Sequence, residues 1–264
     1  MANPRISVIM GIYNCASTLV EALDSLYAQT YQNFKIILCE DGSSDDTYQV
    51  AARYAAKRDN IILLRNERNM GLNYTLNRCL EHADSEYIAR MDGDDISLPE
   101  RFEKEINFLD EHQDYAVVSG PMIYFDEQGD FRTGRGRGEI KNADFVEGPP
   151  ICHAPCMART DVIKAVGGYT VDDRLLRVED YHLWFKMFAA GYKLYSLNEP
   201  IYKMRDDRNA KMRRNWKSRW NSCYARRIGY KMIGLPWYYQ IFSLRPILIG
   251  LLPQAIYNFL HNSR

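Results

Sequence analysis

At 264 residues, with 46% hydrophobic and 26% charged side chains, the chain has the composition of a folded protein, which excludes a disordered or fibrous one. The length suffices for one large core with a C-terminal appendage. The 34 basic and 34 acidic side chains cancel, although they are unevenly distributed. Six scattered cysteines without a Cys-x-x-Cys pair, and an N-terminus without a signal-peptide pattern, predict free thiols in a cytoplasmic protein.

Strand-like apolar segments alternate with helical segments through the first part of the chain. In order they are a strand at 6–10, a helix at 16–26, a strand at 34–39, a helix at 48–57, a strand at 61–64, a helix at 70–82 and a strand at 87–91. This alternation indicates βαβ units and a mostly parallel sheet. The predicted fold class is therefore α/β.

Polar side chains follow three of the predicted strands. Asn14 comes after the first strand, Asp41 after the second and Asp92 after the fourth. In such sheets ligands bind beyond the carboxyl ends of the strands, at the switch in strand order. We therefore expect these three side chains to converge.

The segment Asp92-Gly93-Asp94-Asp95 suggests a cation site. Residues two apart in an extended chain point to the same side, so Asp92 and Asp94 would aim both carboxylates at one point. Two carboxylates suit a hard divalent cation, Mn²⁺ or Mg²⁺, that also binds phosphate oxygens. An EF-hand loop is excluded because Ser97 stands where that loop requires glycine. A solvated acidic turn is the alternative.

Several ordered blocks resemble those of glycosyltransferase family 2, whose members have the GT-A fold. The blocks are residues 7–14, 40–45, 69–73, 88–95, 152–155, 166–169 and 179–184. Within the family, the chain most resembles the EpsE-like bacterial exopolysaccharide transferases. The resemblance implies a Rossmann-like α/β/α sandwich, with a catalytic domain at 1–202. Its nucleotide-sugar half would cover about 1–100 and its acceptor half about 101–202.

The resemblance also implies how a nucleoside-diphosphate sugar would be held. Asp41 matches the aspartate that hydrogen-bonds the nucleobase, with a UDP-sugar favoured; an Asx turn or helix cap is the alternative for Asp-Gly-Ser. Asp92 matches the residue that touches the ribose or the cation's water shell. Asp94 matches the residue that ligates the cation, which would bridge the two phosphates.

Four further residues are expected on the donor side. Tyr13 and Asn14 belong to the first block, and Arg68 could reach a phosphate or form a salt bridge. Many relatives have a histidine near the position of Arg205. Arginine cannot ligate a cation, but it can hold a diphosphate through charge-assisted hydrogen bonds.

Glu179 and Asp180 precede an apolar run and are expected in the first turn of a helix. Complementarity to the helix dipole would by itself explain both acids. The resemblance implies instead that Asp180, beside Glu179, is the general base for an acceptor hydroxyl. Attack from the side opposite the diphosphate inverts the anomeric configuration. The chain has no Gly-x-Ser-x-Gly elbow, and no Gln-x-x-Arg-Trp signature of processive synthases follows Asp180.

His153 lies in the proline-rich segment 148–155, which matches a block on the acceptor side in the family. An acceptor contact and a structural role are both open for this residue.

The C-terminal part of the chain is strongly basic. Residues 203–264 contain 13 basic and 2 acidic side chains, against 21 and 32 in residues 1–202. Apolar runs bounded by prolines follow at 236–242 and 246–253, and the second is too short to cross a bilayer. The pattern predicts a basic amphipathic helical extension at 203–264, peripheral on the anionic inner face of the cytoplasmic membrane. Docking on the acidic catalytic half is the alternative, and no motif supports nucleic-acid binding.

The predicted activity is inverting, metal-dependent transfer of one sugar to a hydroxyl of a lipid-linked or other glycan acceptor. Exopolysaccharide, capsule or lipopolysaccharide assembly would be the setting, with other assembly proteins as further partners. One alternative is a GT-A-like binding or regulatory domain with weak or lost catalysis. A nucleotidyltransferase would need a glycine-rich, basic phosphate loop after the first strand, and residues 11–14 do not provide one.

Overall fold

The structure, a computed structural model, describes residues 3–206 and 215–251, in which strands and helices alternate as the sequence predicts. The strands are β1 (Ile6–Ile12), β2 (Phe34–Glu40), β3 (Ile61–Arg65), β4 (Tyr87–Arg90), β5 (Ile96–Ser97), β6 (Tyr115–Ser119), β7 (Met122–Asp126), β8 (Gly129–Thr133), β9 (Gly138–Glu139), β10 (Met157–Arg159), β11 (Lys193–Ser196) and β12 (Tyr202–Arg205). The α-helices are α1 (Leu19–Tyr27), α2 (Thr47–Ala55), α3 (Leu72–His82), α4 (Arg101–Glu111), α5 (Asp144–Glu147), α6 (Thr160–Ala165), α7 (Glu179–Ala189), α8 (Trp216–Met232) and α9 (Arg245–Leu251). Short 3-10 helices occupy Asp173–Leu175 and Trp237–Leu244.

A mixed eight-stranded sheet has the order β3-β2-β1-β4-β10-β6-β11-β9. The four strands from β3 to β4 are parallel, whereas β10 is antiparallel to both of its neighbours. The chain moves outward from β1 to β3 and then returns to the other side of β1 with β4. The switch in strand order therefore lies between β1 and β4, where ligands of such sheets bind. The predicted α/β class with a parallel core is confirmed.

Successive residues of the central strands pack into opposite layers. Val8 and Met10 belong to the core that contains side chains of α1 and α4, whereas Ile9 belongs to the core that contains those of α3 and α7. Because both faces are covered, the central strands are continuous apolar runs in the sequence.

A second, four-stranded sheet has the order β5-β12-β7-β8 and lies beside the switch point. β12 is antiparallel to β5, with Tyr202 opposite Ser97 and Lys203 opposite Ile96. This register carries Arg205 alongside the acidic segment that precedes β5. The domain boundary expected between residues 202 and 203 falls inside β12, so residues 203–205 pack with the catalytic part. The division of residues 1–202 into donor and acceptor halves remains a prediction.

The C-terminal extension is helical, as predicted, at 216–232 and 237–251, and its helix α8 packs against α7. A Cβ atom on Gly229 would lie 2.2 Å from the Phe185 ring, so glycine permits the close approach of α8 to α7. Arg226 is buried and donates a 2.7 Å hydrogen bond to the Val146 carbonyl. Five basic residues of the extension lie outside the described residues: Arg208, Lys211, Arg213, Arg214 and Arg264. None of the helices in 3–206 and 215–251 combines the length and the apolar character needed to cross a bilayer.

Candidate active site

A cleft of about 300 Å³, here called the acidic cleft, lies at the carboxyl ends of β1 and β4. Its lining includes five residues predicted to contact the donor or the metal, namely Tyr13, Asn14, Asp92, Asp94 and Arg205. Asp41 and Arg68, also predicted on the donor side, are not among its lining residues. The expected convergence is therefore found for two of the three strand ends.

Asn14 joins the end of β1 to the loop after β2. Its backbone is left-handed, with φ 48°, a conformation that asparagine adopts more readily than most residues. Its Oδ1 accepts a 2.9 Å hydrogen bond from the Ser44 amide, and its own amide donates to Ser43 Oγ at 3.1 Å. Tyr13 beside it is exposed. Its ring is therefore available to a ligand.

Asp41 is buried and holds the loop that leads into α3. Its Oδ1 accepts hydrogen bonds from Asn66 Nδ2 at 2.6 Å and the Met70 amide at 2.8 Å, and its Oδ2 accepts from the Gly71 amide at 3.0 Å. These bonds reach a distant loop, so Asp41 neither forms an Asx turn with its own segment nor caps the helix that follows it. A carboxylate can accept about four hydrogen bonds. The nucleobase contact stays a prediction.

Arg68 is placed by a close backbone contact. A Cβ atom on Gly42 would lie 2.4 Å from the Arg68 carbonyl carbon, so the turn after Asp41 packs directly on this loop. The Arg68 side chain is exposed, and no carboxylate of the described chain forms a salt bridge with it. A contact with phosphate stays a prediction.

Three aspartates meet in the loop after β4. β4 ends at Arg90 and residues 93–94 form a turn, so Asp92 and Asp94 converge through that turn and not through an extended strand. The turn also brings in Asp95. One carboxylate oxygen from each of the three lies within 4.8 Å of the others.

Arg90 holds Asp92 in place. Its guanidinium is buried and forms a bidentate ion pair with the Asp92 carboxylate. The Asp92 amide donates a 3.2 Å hydrogen bond to the Tyr202 hydroxyl of β12, which fixes the same loop from the other side. Arg90 therefore locks the acidic loop in place.

The aspartate cluster fits a divalent cation. Burial, together with the charges of Asp92 and Asp94, raises the pKa of Asp95 to about 8. Partial desolvation and the Asp92 charge also raise the pKa of Asp94, although its side chain is exposed. Asp95 Oδ2 is buried without a hydrogen-bond partner in the described chain. Carboxylate oxygens that lack a positive partner are the ligands that a hard cation requires.

Arg205 closes one side of the acidic cleft. Its amide donates a 2.8 Å hydrogen bond to Asp95 Oδ1, and its Nε donates to the Asp94 carbonyl at 3.0 Å. Its guanidinium also forms a salt bridge with Glu21. The residue predicted to hold a diphosphate is therefore positioned at the cluster, with part of its charge already paired.

Glu179 and Asp180 form the first turn of α7, as predicted. Asp180 lines a second cavity, of about 620 Å³, together with residues of α8 and α9. Burial raises the pKa of Asp180, and the Arg90 charge partly offsets that rise. Burial and the Asp180 charge raise the pKa of Glu179 to about 7, and its Oε2 has no hydrogen-bond partner in the described chain. A carboxylate with a raised pKa is a stronger base.

His153 is packed among aromatic rings. Its Nε2 lies 2.7 Å from the Tyr169 hydroxyl, and its ring meets the Trp184 ring edge-on, with centroids 5.9 Å apart. Burial and the Arg90 charge lower the pKa of His153 well below its usual value, so the ring is neutral. These contacts favour the structural role over an acceptor contact.

Sequence reasoning missed Asp95 as a member of the cluster and Tyr202 as an anchor of the acidic loop. The consecutive acids Asp94 and Asp95 were the available signal for the first. No local signal could reveal the second, because β12 is far from the loop in sequence.

Comparison with known proteins identifies the family. The model of the glycosyl transferase family 2 domain matches residues 7–167, more than half of the chain. The chain belongs to glycosyltransferase family 2. It is a glycosyltransferase, and its predicted family membership is confirmed.

Curated family 2 relatives include proteins of polysaccharide synthesis. The chain is 38% identical to EpsE of Bacillus subtilis (strain 168), over 100% of this chain and 95% of EpsE. It is 31% identical to the amylovoran biosynthesis glycosyltransferase AmsE of Erwinia amylovora, over 80% of each chain. It is 28% identical to the E. coli UDP-Glc:alpha-D-GlcNAc-diphosphoundecaprenol beta-1,3-glucosyltransferase WfaP, over 73% of this chain and 74% of WfaP.

Solved structures support the GT-A fold. S. aureus TarS 1–349 in complex with UDP superposes with a TM-score of 0.71 at 18% identity, over 97% of this chain and 74% of TarS 1–349. The mannosyltransferase PcManGT of Pyrobaculum calidifontis, in complex with GDP-Man and Mn²⁺, gives a TM-score of 0.67 at 17% identity, over 100% of this chain and 80% of PcManGT. At these identities the likeness concerns the fold alone.

The buried carboxyl of Glu179 should make stability depend on pH. Its pKa in the folded protein, about 7, lies above the ordinary 4.5, so the folded state binds more protons between these values. Stability should therefore fall as pH rises from about 5 to about 7. In Glu179→Gln the decrease in the free energy of unfolding over this pH range should be smaller by about 2 kcal/mol. Urea unfolding at several pH values measures it.

Glu81→Gln is the matched control, because it removes an exposed acid of α3 and should keep the wild-type pH profile. Parallel pH profiles for wild type and Glu179→Gln would contradict the raised pKa.

Proposed function

We propose that this glycosyltransferase moves one sugar, with inversion, from a nucleoside-diphosphate sugar to a hydroxyl of a glycan acceptor, in a metal-dependent reaction. The convergence of three aspartates at the strand switch point carries the proposal. A nearby carboxylate, Asp180, lines an adjoining cavity and supplies the base. The acceptor belongs to surface-polysaccharide assembly, as the names of relatives such as AmsE suggest.

The donor occupies the acidic cleft, with a UDP-sugar favoured. The complex of TarS 1–349 with UDP and the UDP-Glc-using WfaP support uracil as the nucleobase of the donor. Tyr13 offers an exposed ring for stacking, and Asp41 has one acceptor position left for a nucleobase N–H. Arg68, exposed beside this loop, and Arg205, at the cluster, are the candidate phosphate contacts.

Asp92, Asp94 and Asp95 would hold a Mn²⁺ or Mg²⁺ ion at the diphosphate. When bound, the cation neutralises negative charge that builds on the leaving nucleoside diphosphate. Arg90 keeps Asp92 oriented for this role through its bidentate ion pair. PcManGT with GDP-Man and Mn²⁺ supports metal use on a related fold.

Asp180 activates the acceptor. Its carboxylate takes the hydroxyl proton while the acceptor oxygen bonds to the anomeric carbon. The bond from that carbon to the diphosphate oxygen breaks, and the electron pair leaves with the nucleoside diphosphate. Because attack and departure are on opposite sides, one displacement inverts the configuration. Glu179 lies beside Asp180, and burial together with the Asp180 charge raises the pKa of Glu179.

The C-terminal extension is proposed to rest on the inner face of the cytoplasmic membrane. Exposed apolar side chains cluster on it: Trp216, Trp220, Trp237, Tyr238, Ile241, Phe242, Leu244, Leu248 and Leu251. This set is called the C-terminal apolar patch. Arg227 and Lys231 are exposed beside it and could meet anionic headgroups. Arg226 and Arg245 instead donate to the Val146 and Glu147 carbonyls of the catalytic part, as the docking alternative expects.

Asp94→Ala should abolish the tightening of UDP binding by Mn²⁺. Asp94 is exposed and offers a carboxylate to the cluster, so its loss removes a ligand without opening the core. Calorimetry of UDP with and without Mn²⁺ measures the effect. Asp59→Ala, which removes an exposed acid far along the chain, should retain the full enhancement. Equal enhancement in Asp94→Ala and wild type would rule out this cation site.

Asp180→Asn should lower turnover by roughly a hundredfold or more, because an amide cannot accept the hydroxyl proton. UDP affinity should stay near the wild-type value, since Asp180 lines the other cavity. Single-turnover assays of sugar transfer, with UDP binding as the control measurement, separate the two effects. Normal turnover in the variant would leave Asp180 as a helix-terminus acid only.

Trp237→Glu should prevent flotation of the full-length protein with phosphatidylglycerol vesicles. Trp237 is 85% exposed, so the change places a charge in the apolar patch with little effect on folding. Val171→Glu changes an exposed apolar residue of the catalytic part, 58% exposed, and should float like wild type. A wild-type protein that stays with the unbound fraction at low salt would refute membrane binding.

A further inference from the structure

The cavity beside Asp180 is lined by four arginines. Arg177 comes from the loop before α7, Arg219 and Arg226 from α8, and Arg245 from the start of α9. The volume of about 620 Å³ is within the range of small-ligand sites. It is called the arginine cavity below.

Three of these guanidinium groups, those of Arg219, Arg226 and Arg245, donate to neutral oxygens. Arg219 donates to the Pro246 carbonyl at 2.9 Å, and Arg245 to the Glu147 carbonyl at 3.3 Å. Arg226 donates to the Val146 carbonyl at 2.7 Å and the Tyr230 hydroxyl at 2.8 Å. Within residues 3–206 and 215–251, none of the four forms a salt bridge. The carboxylate of Glu147, also at the cavity, is paired with Arg137.

Arg226 is the most buried of the four arginines. It is 6% exposed, and its Nε has no hydrogen-bond partner in the described chain. A buried cation without an anionic partner is costly. Arg177 adds a second unusual feature, a left-handed backbone with φ 67°, which residues with a Cβ atom rarely adopt. The unpaired, buried charge of Arg226 is explained if an anion binds among the four guanidinium groups.

We propose that the arginine cavity binds the phosphate or diphosphate group of the acceptor and so presents the acceptor hydroxyl to Asp180. Guanidinium groups recognise phosphate oxygens through paired, charge-assisted hydrogen bonds. Ser218 and Ser222 of α8 also line the cavity and can donate to further oxygens. The assignment of the hydroxyl to Asp180 rests on the proposed function, whereas the binding of the anion does not.

The anion in this cavity is not the diphosphate of the donor. Met204 lines the arginine cavity, whereas Arg205, the next residue of β12, lines the acidic cleft. Successive strand residues point to opposite faces, so the two cavities adjoin at β12 and each has its own cationic side chains. Two anions, one in each cavity, match a reaction between a nucleotide-activated donor and a phosphorylated acceptor.

Calorimetry with inorganic pyrophosphate tests the site in the full-length protein, with a chelator present to remove divalent cations. Wild type should bind pyrophosphate. Arg177→Gln and Arg245→Gln should each weaken binding at least about tenfold, the loss expected for charged hydrogen bonds. Both positions are less buried than Arg226, and unchanged Mn²⁺-dependent UDP binding would show that the variants are folded. Arg227→Gln removes the same charge from the exposed side of α8 and should bind like wild type.

Two further measurements identify the source of the phosphate. Geranyl diphosphate should displace pyrophosphate from wild type, and phosphatidylglycerol vesicles should bind Arg177→Gln and Arg245→Gln as well as wild type. Loss of vesicle binding in these two variants would assign the arginines to lipid headgroups and overturn the proposal. Absence of pyrophosphate binding, or equal binding in all variants, would also overturn it. Normal turnover in Asp180→Asn would refute the role of Asp180 as general base, whereas it would leave pyrophosphate binding in the arginine cavity unaffected. Failure of the proposed function and failure of the anion site can therefore be distinguished.

Discussion

The buried guanidinium of Arg90 is the charge on which the arrangement of the site depends. It pairs in bidentate fashion with Asp92 at the end of β4, and its charge opposes the rise in the pKa of Asp94, Asp95, Glu179 and Asp180. So many carboxyl groups cannot all ionise near each other without a cation among them. Arg90 therefore links the end of a central strand to the first turn of α7, and it does so without reaching into either cavity.

The second sheet gives this charge cluster its shape. β12 is the return of the chain from a distant part of the sequence, and its pairing with β5 places Arg205 against Asp94 and Asp95. Tyr202, two positions from Met204, anchors the Asp92 amide. One short strand thus fixes the acidic loop and lines both the acidic cleft and the arginine cavity. Displacement of β12 would alter both cavities together.

Local pattern was enough to predict β1 to β4, the helices between them and the fold class, because continuous apolar runs and helical periodicity are properties of short segments. It also singled out Asp92 and Asp94, whereas the family resemblance singled out Asp180. Local pattern does not reveal long-range pairing. The boundary expected at 202/203 falls inside β12, a strand defined by partners about 80 to 105 residues away. The position of Asp95 depends on a turn that the extended-strand argument did not contain.

Basic residues in the described part of 203–264 occupy different structural settings. Arg205 serves the acidic cleft, Arg219, Arg226 and Arg245 line the arginine cavity, and Arg227 and Lys231 remain exposed beside the apolar patch. Helix α8 carries Arg219 and Arg226 on one face, since they are seven residues apart and line the arginine cavity. Its residues Trp220, Tyr224, Arg227 and Lys231 line another groove. If the face of α8 with Arg227 and Lys231 meets a membrane, the face with Arg219 and Arg226 would hold the arginine cavity in a fixed orientation to that membrane. An acceptor anchored in that membrane would then reach Asp180 with its phosphate already held, so attachment to the surface and selection of the acceptor become properties of one helix.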